Sequence, residues 1–257
     1  MSPEPSNQRG VKLEVQGLRR SFGSQQVLRE ITFAVSPGEV FVVMGPSGSG
    51  KSVLLKHLIG LEVPDEGDIL INGESIVTRN EDVRARYRLA MVFQSGALLN
   101  SLNVSENVGL YLVEHRTHKT EEIRQIVTQK LELVGLKGIE NKYPSELSGG
   151  MKKRVSIARA LVIEPQLVLY DEPTSELDPL SALTVVEEIV RLNKRNQVTS
   201  IVVTHDRDVA FGIADRIAIL HNGSIIFIGT PAEVKAHADP LIQQFITADF
   251  KKEALTV

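Results

Sequence analysis

The sequence predicts an α/β fold built on a parallel-sheet core, with an N-terminal antiparallel β flank and an all-helical insertion. Three observations carry this reading. Four short apolar runs, at Val40–Met44, Leu167–Tyr170, Ser200–Val203 and Ile217–Leu220, lack the alternation of a half-exposed strand. Strands buried on both faces of a parallel sheet read this way. Helical patterns separate the runs, as repeated βα units require. Between Ser101 and Ile163 the strand signals disappear and helical periodicity replaces them.

The elements follow in chain order. The polar, Pro-containing start, Met1-Ser2-Pro3-Glu4-Pro5-Ser6-Asn7, lacks the basic segment and apolar stretch of a signal peptide. No apolar run approaches the ~20 residues of a spanning helix, so the chain is expected not to cross a membrane itself. Val11–Val15 alternates apolar with polar residues and Gln26–Val35 is a second extended segment, the antiparallel flank. Val40–Met44 runs into Gly45-Pro46-Ser47-Gly48-Ser49-Gly50-Lys51-Ser52 and then into the helical apolar face of Val53–Ile59. In the insertion, Ile123, Ile126, Val127, Leu131 and Val134 share one helix face, and Met151–Val162 reads as another helix. Asp178-Pro179 suits a helix start, a capping carboxylate followed by a proline whose missing N–H costs nothing there. His221-Asn222-Gly223 reads as a hairpin turn.

Composition narrows the function. The chain has 257 residues, with 29 Lys+Arg against 32 Asp+Glu and a net charge of -3. The positive field that drives binding to a phosphate backbone is missing, so nucleic acid is not an expected partner. There is no cysteine, which removes disulfides, thiol nucleophiles and Cys-ligated metals.

Gly45–Ser52 matches G-x-x-x-x-G-K-[ST]. Backbone N–H groups of such a loop wrap phosphates, Lys51 reaches the β and γ groups, and the Ser52 hydroxyl binds Mg²⁺. The helix N-terminus that follows favours the same anions. Leu167–Tyr170 delivers Asp171-Glu172 to the carboxyl end of a buried strand, where α/β sheets place ligands. Asp171 suits the Mg²⁺ shell and Glu172 suits polarising an attacking water; taken alone, such an acidic pair is a turn or cap. Leu147-Ser148-Gly149-Gly150-Met151 places two glycine N–H groups and a hydroxyl at the positive end of a second helix; taken alone, it is a glycine-rich loop that merely starts a helix. The chain therefore holds two phosphate-type sites, about a hundred residues apart, and only the first has the lysine and the magnesium ligand. A partner subunit would supply the other half.

With these residues in place the sequence resembles the ATP-binding cassette (ABC) ATPases, P-loop NTPases of RecA-like core, from about Val11 to Gly229. Its phosphate loop is Gly45–Ser52, its glutamine loop holds Gln94 in Phe93-Gln94-Ser95-Gly96, and its signature is Leu147–Met151. Its Walker B carboxylates are Asp171-Glu172, its D-loop is Ser175-Glu176-Leu177-Asp178, and its switch histidine is His205 in Val203-Thr204-His205-Asp206. Phe22 stands where the family stacks an aromatic ring on adenine, although a phenylalanine pinning the flanking sheet explains it nearly as well. Met151 departs from the family's usual glutamine.

The resemblance implies one nucleotide-binding domain over residues 9–245, with a helical subdomain at about 96–163 and a C-terminal tail at 246–257. It implies ATP and Mg²⁺ as cofactors, with ATP held by Phe22, Gly45, Pro46, Ser47, Gly48, Ser49, Gly50, Lys51 and Ser52, and by Ser148, Gly149, Gly150 and Asp178 of the opposing copy in a head-to-tail homodimer. Ser52, Gln94 and Asp171 would hold the metal; Glu172 is the implied general base, with His205, Lys51 and Gln94 completing the catalytic set. The other histidines, His57, His115, His118, His221 and His237, read as structural. A separate integral-membrane permease would dock near Ala97, Leu98, Leu99 and Leu102, although packing within the insertion explains these residues equally well, and the chain would lie peripherally on the cytoplasmic face of the inner membrane. More narrowly, Phe93–Leu98, Pro144–Met151, Asp239-Pro240 and Gln243-Gln244-Phe245 resemble the ATPase of Mla-type phospholipid transporters, whose permease works with an MCE-domain protein. Two other readings are a cell-division-type ATPase that regulates a membrane partner without transport, and a soluble cassette acting on DNA or ribosomes. For the last, the run Lys152-Lys153-Arg154 is the only support, and three basic residues opening a helix are usually a solvated face.

Overall fold

The computed structural model describes residues 10–78 and 80–247; Arg9, where the domain was expected to open, and residues 248–257 of the expected tail lie outside them. Two sheets form the frame. The flank is a four-stranded antiparallel sheet made of β1 (Leu13–Phe22), β2 (Gln25–Val35), β4 (Glu66–Ile71) and β5 (Glu74–Ser75), in the order β2-β1-β4-β5. The second sheet has six strands: β3 (Val40–Met44), β6 (Leu89–Val92), β7 (Leu167–Asp171), β8 (Thr199–Thr204), β9 (Arg216–His221) and β10 (Ser224–Gly229). Its order is β10-β9-β3-β8-β7-β6, parallel from β9 to β6, with β10 antiparallel to β9 through the Asn222-Gly223 hairpin.

The unalternating runs are explained by two cores, one on each face of this sheet. Successive side chains of a strand point to opposite faces. In β3, Val40, Val42 and Met44 enter the core on the helical side, whereas Phe41 and Val43 enter the core between the two sheets. β7 divides likewise, Val168 and Tyr170 from Leu167 and Leu169, and so does β9, Ile217 and Ile219 from Ala218 and Leu220. Both faces are covered, so the alternation of a half-exposed strand is lost; in β8 the buried Thr199, Ser200 and Thr204 are the polar exceptions.

Helix α1 (Lys51–Leu58) lies in the core between the sheets, burying Leu54, Leu55 and Leu58. After α2 (Asn80–Tyr87), the insertion holds α3 (Val104–Glu114), α4 (Thr120–Leu133), a 3-10 turn at Pro144–Glu146 and α5 (Gly149–Leu161). Its Val108, Leu112, Val127, Leu131 and Val155 belong to the same core that covers β3 and β7. The insertion is thus one packed unit with the sheet, not a separate hydrophobic centre. Helices α6 (Pro179–Asn196) and α7 (Arg207–Ile213) cover the same face, and α8 (Pro231–Ala236) and α9 (Pro240–Thr247) are the last elements of the described residues. Helix α9 runs through the expected 245/246 boundary and buries Ile246.

Candidate active site

The phosphate loop joins β3 to α1 and its backbone is fixed by crowding. A Cβ on Gly45 would stand 2.2 Å from the Leu220 carbonyl oxygen of β9, a separation no side chain tolerates. Gly48 and Gly50 hold φ of 79° and 104°, a region that only glycine enters cheaply. Gly50 caps α1 without a side-chain acceptor, and no acidic residue stands in the first turn. The first-turn N–H groups and the positive helix end therefore face the loop. The Ser49 hydroxyl is buried and has no hydrogen-bond partner. These features fit a phosphate chain: donors, a cationic side chain and no competing carboxylate on the loop.

A cavity of about 300 Å³ opens against this loop, and Ser47, Lys51, Ser52, Gln94, Glu172 and His205 line it together with Val27. The sheet brings these distant residues together. Strand β8 lies between β3 and β7, and Asp171 pairs with Val203, so the end of β7 meets the start of α1. The Ser52 hydroxyl lies 3.1 Å from Asp171 Oδ1, two hard oxygen ligands of the kind Mg²⁺ takes alongside substrate phosphates and water. Burial pushes the Asp171 carboxyl above the usual aspartate range, against the opposing hydrogen bond from Ser52; a cation beside it would favour the charged form.

Lys51 is 7% exposed. Its Nζ donates to the carbonyls of Gly45 at 2.8 Å and Pro46 at 3.0 Å and stands 3.6 Å from Glu172 Oε1. Burial pulls its pKa below the usual lysine value, while Glu172 and Asp171 pull it back. Glu172 sits at φ 45°, an uncommon conformation for a non-glycine residue and one concentrated at working sites. Its N–H donates to the Val203 carbonyl at 2.9 Å, which anchors it to β8. Glu172 Oε2 accepts from the His205 ring at Nδ1, 2.9 Å away, and from the His205 backbone N–H at 3.3 Å.

The remaining expected residues stand apart from this cavity. Ser148 caps α5, accepting from Met151 N–H at 3.2 Å, and Ser148 and Gly149 are exposed. Gly150 is packed so that a Cβ would touch Ser181 at 3.0 Å. Asp178 caps α6 through the N–H groups of Leu180 and Ser181, both at 3.1 Å. Phe22 is 46% exposed with the Arg20 guanidinium over its ring at 4.7 Å. None of these lines the cavity around Lys51. Met151 packs partly buried against the helical core, which gives an apolar side chain a reason to stand there.

One expectation is corrected. The run Lys152-Lys153-Arg154 is not a solvated face, because Lys153 is 6% exposed and Arg154 Nη1 donates to the Val134 and Gly135 carbonyls. Sequence reading also passed over β6, which pairs with β7 and leads into Gln94. Its four residues, Leu89-Ala90-Met91-Val92, include two weak strand formers, and no turn motif marks them.

The pattern of the ABC transporter family matches residues 28–175. Among relatives, the probable ribonucleotide transport ATP-binding protein mkl of Mycobacterium leprae is 43% identical over 92% of this chain and 69% of its own. The intermembrane phospholipid transport system ATP-binding protein MlaF of Haemophilus influenzae is 39% identical over 92% of this chain and 90% of its own. Among solved structures, the dimeric post-hydrolysis state of the cassette MJ0796 bound to ADP and Pi superposes with a TM-score of 0.77 at 30% identity, over 85% of this chain and 98% of that one. The phosphate loop, the Asp171-Glu172 strand end, the capped signature helix and these likenesses agree: the chain belongs to the ABC transporter family and is an ATP-hydrolysing cassette that works with Mg²⁺.

Proposed function

We propose that this cassette powers the movement of phospholipid, or a related lipid, through a separate permease. The observation that carries the ATPase half is the split of the machinery, with Lys51, Gln94, Glu172 and His205 around one cavity and Ser148, Gly149 and Asp178 outside it. Two copies placed head to tail would bring each signature onto the other's loop, so hydrolysis would require the pair.

In that pair, the Glu172 carboxylate, aimed by His205, takes a proton from the attacking water. The water oxygen bonds to the γ-phosphorus as the bridging bond to ADP breaks. Lys51 and the loop N–H groups balance the charge on the phosphoryl oxygens. Bound Mg²⁺ would be held by Ser52 and Asp171, with Gln94 at its edge, and would supply further charge neutralisation. Phe22 would stack on the base.

The lipid half is supported by likeness to MlaF, and by 41% identity over 94% of this chain to an Arabidopsis thaliana protein whose name, trigalactosyldiacylglycerol 3, is that of a galactolipid. Permease subunits, an MCE-domain partner and a peripheral place on the cytoplasmic face of the inner membrane belong to the same reading. No described helix is long and apolar enough to cross a membrane, so the path for cargo would lie in another polypeptide. The name of the mkl relative favours ribonucleotide as a second cargo. Purifying the native complex and identifying its subunits and bound molecules by mass spectrometry separates the two. An MCE-domain protein with phospholipid supports the proposal; a permease carrying nucleotide and no lipid overturns it.

A further inference from the structure

The cavity around Lys51 uses one buried lysine, and the fold contains a second. Lys153 lies one turn into α5, just beyond the signature, and its ammonium donates to the Gln94 carbonyl, to the Glu172 carbonyl at 3.2 Å and to the Ser175 hydroxyl at 3.4 Å. Ser175 Oγ in turn donates to the same Glu172 carbonyl at 2.9 Å. A buried cation is costly unless it is well solvated by protein groups. Burial holds Lys153 below the usual lysine pKa, while Glu176, Asp171 and Glu172 oppose that shift. Its acceptors are two main-chain oxygens and a hydroxyl, so its grip is on backbone, not on a mobile carboxylate.

The rest of the α5 face strengthens this grip. Arg159 donates to the Ala97 carbonyl at 2.6 Å and to the Gly96 carbonyl at 2.8 Å. Two cations of one helix thus hold the segment 94–97, and of the two only Lys153 also reaches the end of β7. The helix that carries the signature at its start is tied directly to the backbone of Gln94 and of Glu172.

We infer that Lys153 is a positioning residue: it fixes the Gln94 and Glu172 backbones to the signature helix, so that the seating of the signature sets their placement. The inference rests on the roles proposed above for Glu172 and Gln94. A displacement of about 1 Å in a catalytic group costs on the order of a hundredfold in rate, so a loosened node should lower the rate more than nucleotide binding.

The test uses the full chain in its native complex, with kcat and KM for ATP and the melting temperature measured for Lys153→Met, Lys153→Arg and Glu172→Gln. Lys153→Met keeps the length and removes the donor; kcat is expected to fall by at least about tenfold with KM within about threefold, and Lys153→Arg is expected to recover most of the rate. A lower melting temperature with kcat unchanged, or a rise in KM that accounts for the whole loss, overturns the inference. Should Lys153→Met fail to fold, Lys153→Gln decides by the same comparison of kcat with KM. Glu172→Gln separates the levels. If it retains turnover, the role of Glu172 fails and the inference with it. If it is inactive while Lys153→Met turns over normally, only the inference fails.

Discussion

The chain builds a glycine-rich helix N-terminus twice, and the two are built differently. The phosphate loop and α1 stand between two sheets; Lys51, Leu54, Leu55 and Leu58 are buried, and a Cβ at Gly45 would collide with backbone. The signature opens α5 at the surface, with Ser148 and Gly149 exposed and a Cβ at Gly149 meeting the Leu177 side chain at 3.2 Å. Rigid, dry surroundings suit a site that must hold charge in fixed geometry. An exposed, capped helix end suits a surface that, in the proposed head-to-tail pair, would meet and leave a second copy. The first site is complete in its donors, lysine and acidic partners, and the second supplies donors alone.

The largest effect falls on the buried site. Lys51→Ala removes the loop's cation and is expected to lower turnover by about a hundredfold or more, measured as phosphate release at saturating Mg²⁺ and ATP. A variant with the wild-type rate would remove Lys51 from the mechanism.

A methyl group at each site sharpens the contrast. Gly45→Ala forces Cβ against the Leu220 carbonyl and is expected to cost about 3 kcal/mol or more, by analogy with overpacked cores. Gly149→Ala need only move a leucine tip and is expected to change stability by less than about 1 kcal/mol while lowering turnover. Denaturant unfolding of both checks this, and equal losses would erase the distinction.

The smallest effect is at the exposed side. Ser181 holds the Asp178 carboxyl below the usual aspartate range. Because its folded pKa lies below its unfolded one, its contribution is complete above the ordinary aspartate range and is lost as pH falls through the folded value. Asp178→Ala should therefore melt a few degrees lower at pH 7, with the gap closing in acid. A gap that widened on acidification would contradict the capping role.

Legibility in the sequence follows the same division. β3, the phosphate loop and α1 are readable because a doubly buried strand excludes polar residues and the loop demands glycine at fixed steps. The end of β7 is readable for the same reason. Lys153 was hidden because its burial depends on the segment after β6 and on the turn after β7, contacts 59 and 19 residues away in sequence; locally it is one of three basic residues at a helix start. β6 was hidden because Ala90 and Met91 carry no strand signal, and its place is set by pairing with β7. The φ of 45° at Glu172, whose N–H is bonded to β8, likewise has no local mark in the sequence.

The most direct test of a shared site mixes two inactive chains. Lys51→Ala disables the loop and Ser148→Arg disables the signature. In a mixed pair, the loop of the Ser148→Arg copy faces the signature of the Lys51→Ala copy, and one intact site re-forms. At equal mixing half the pairs are mixed and each holds one working site of two, so turnover should recover to about a quarter of wild type. Mixed pairs shown by affinity tags to have formed, yet no more active than either chain alone, would contradict the account.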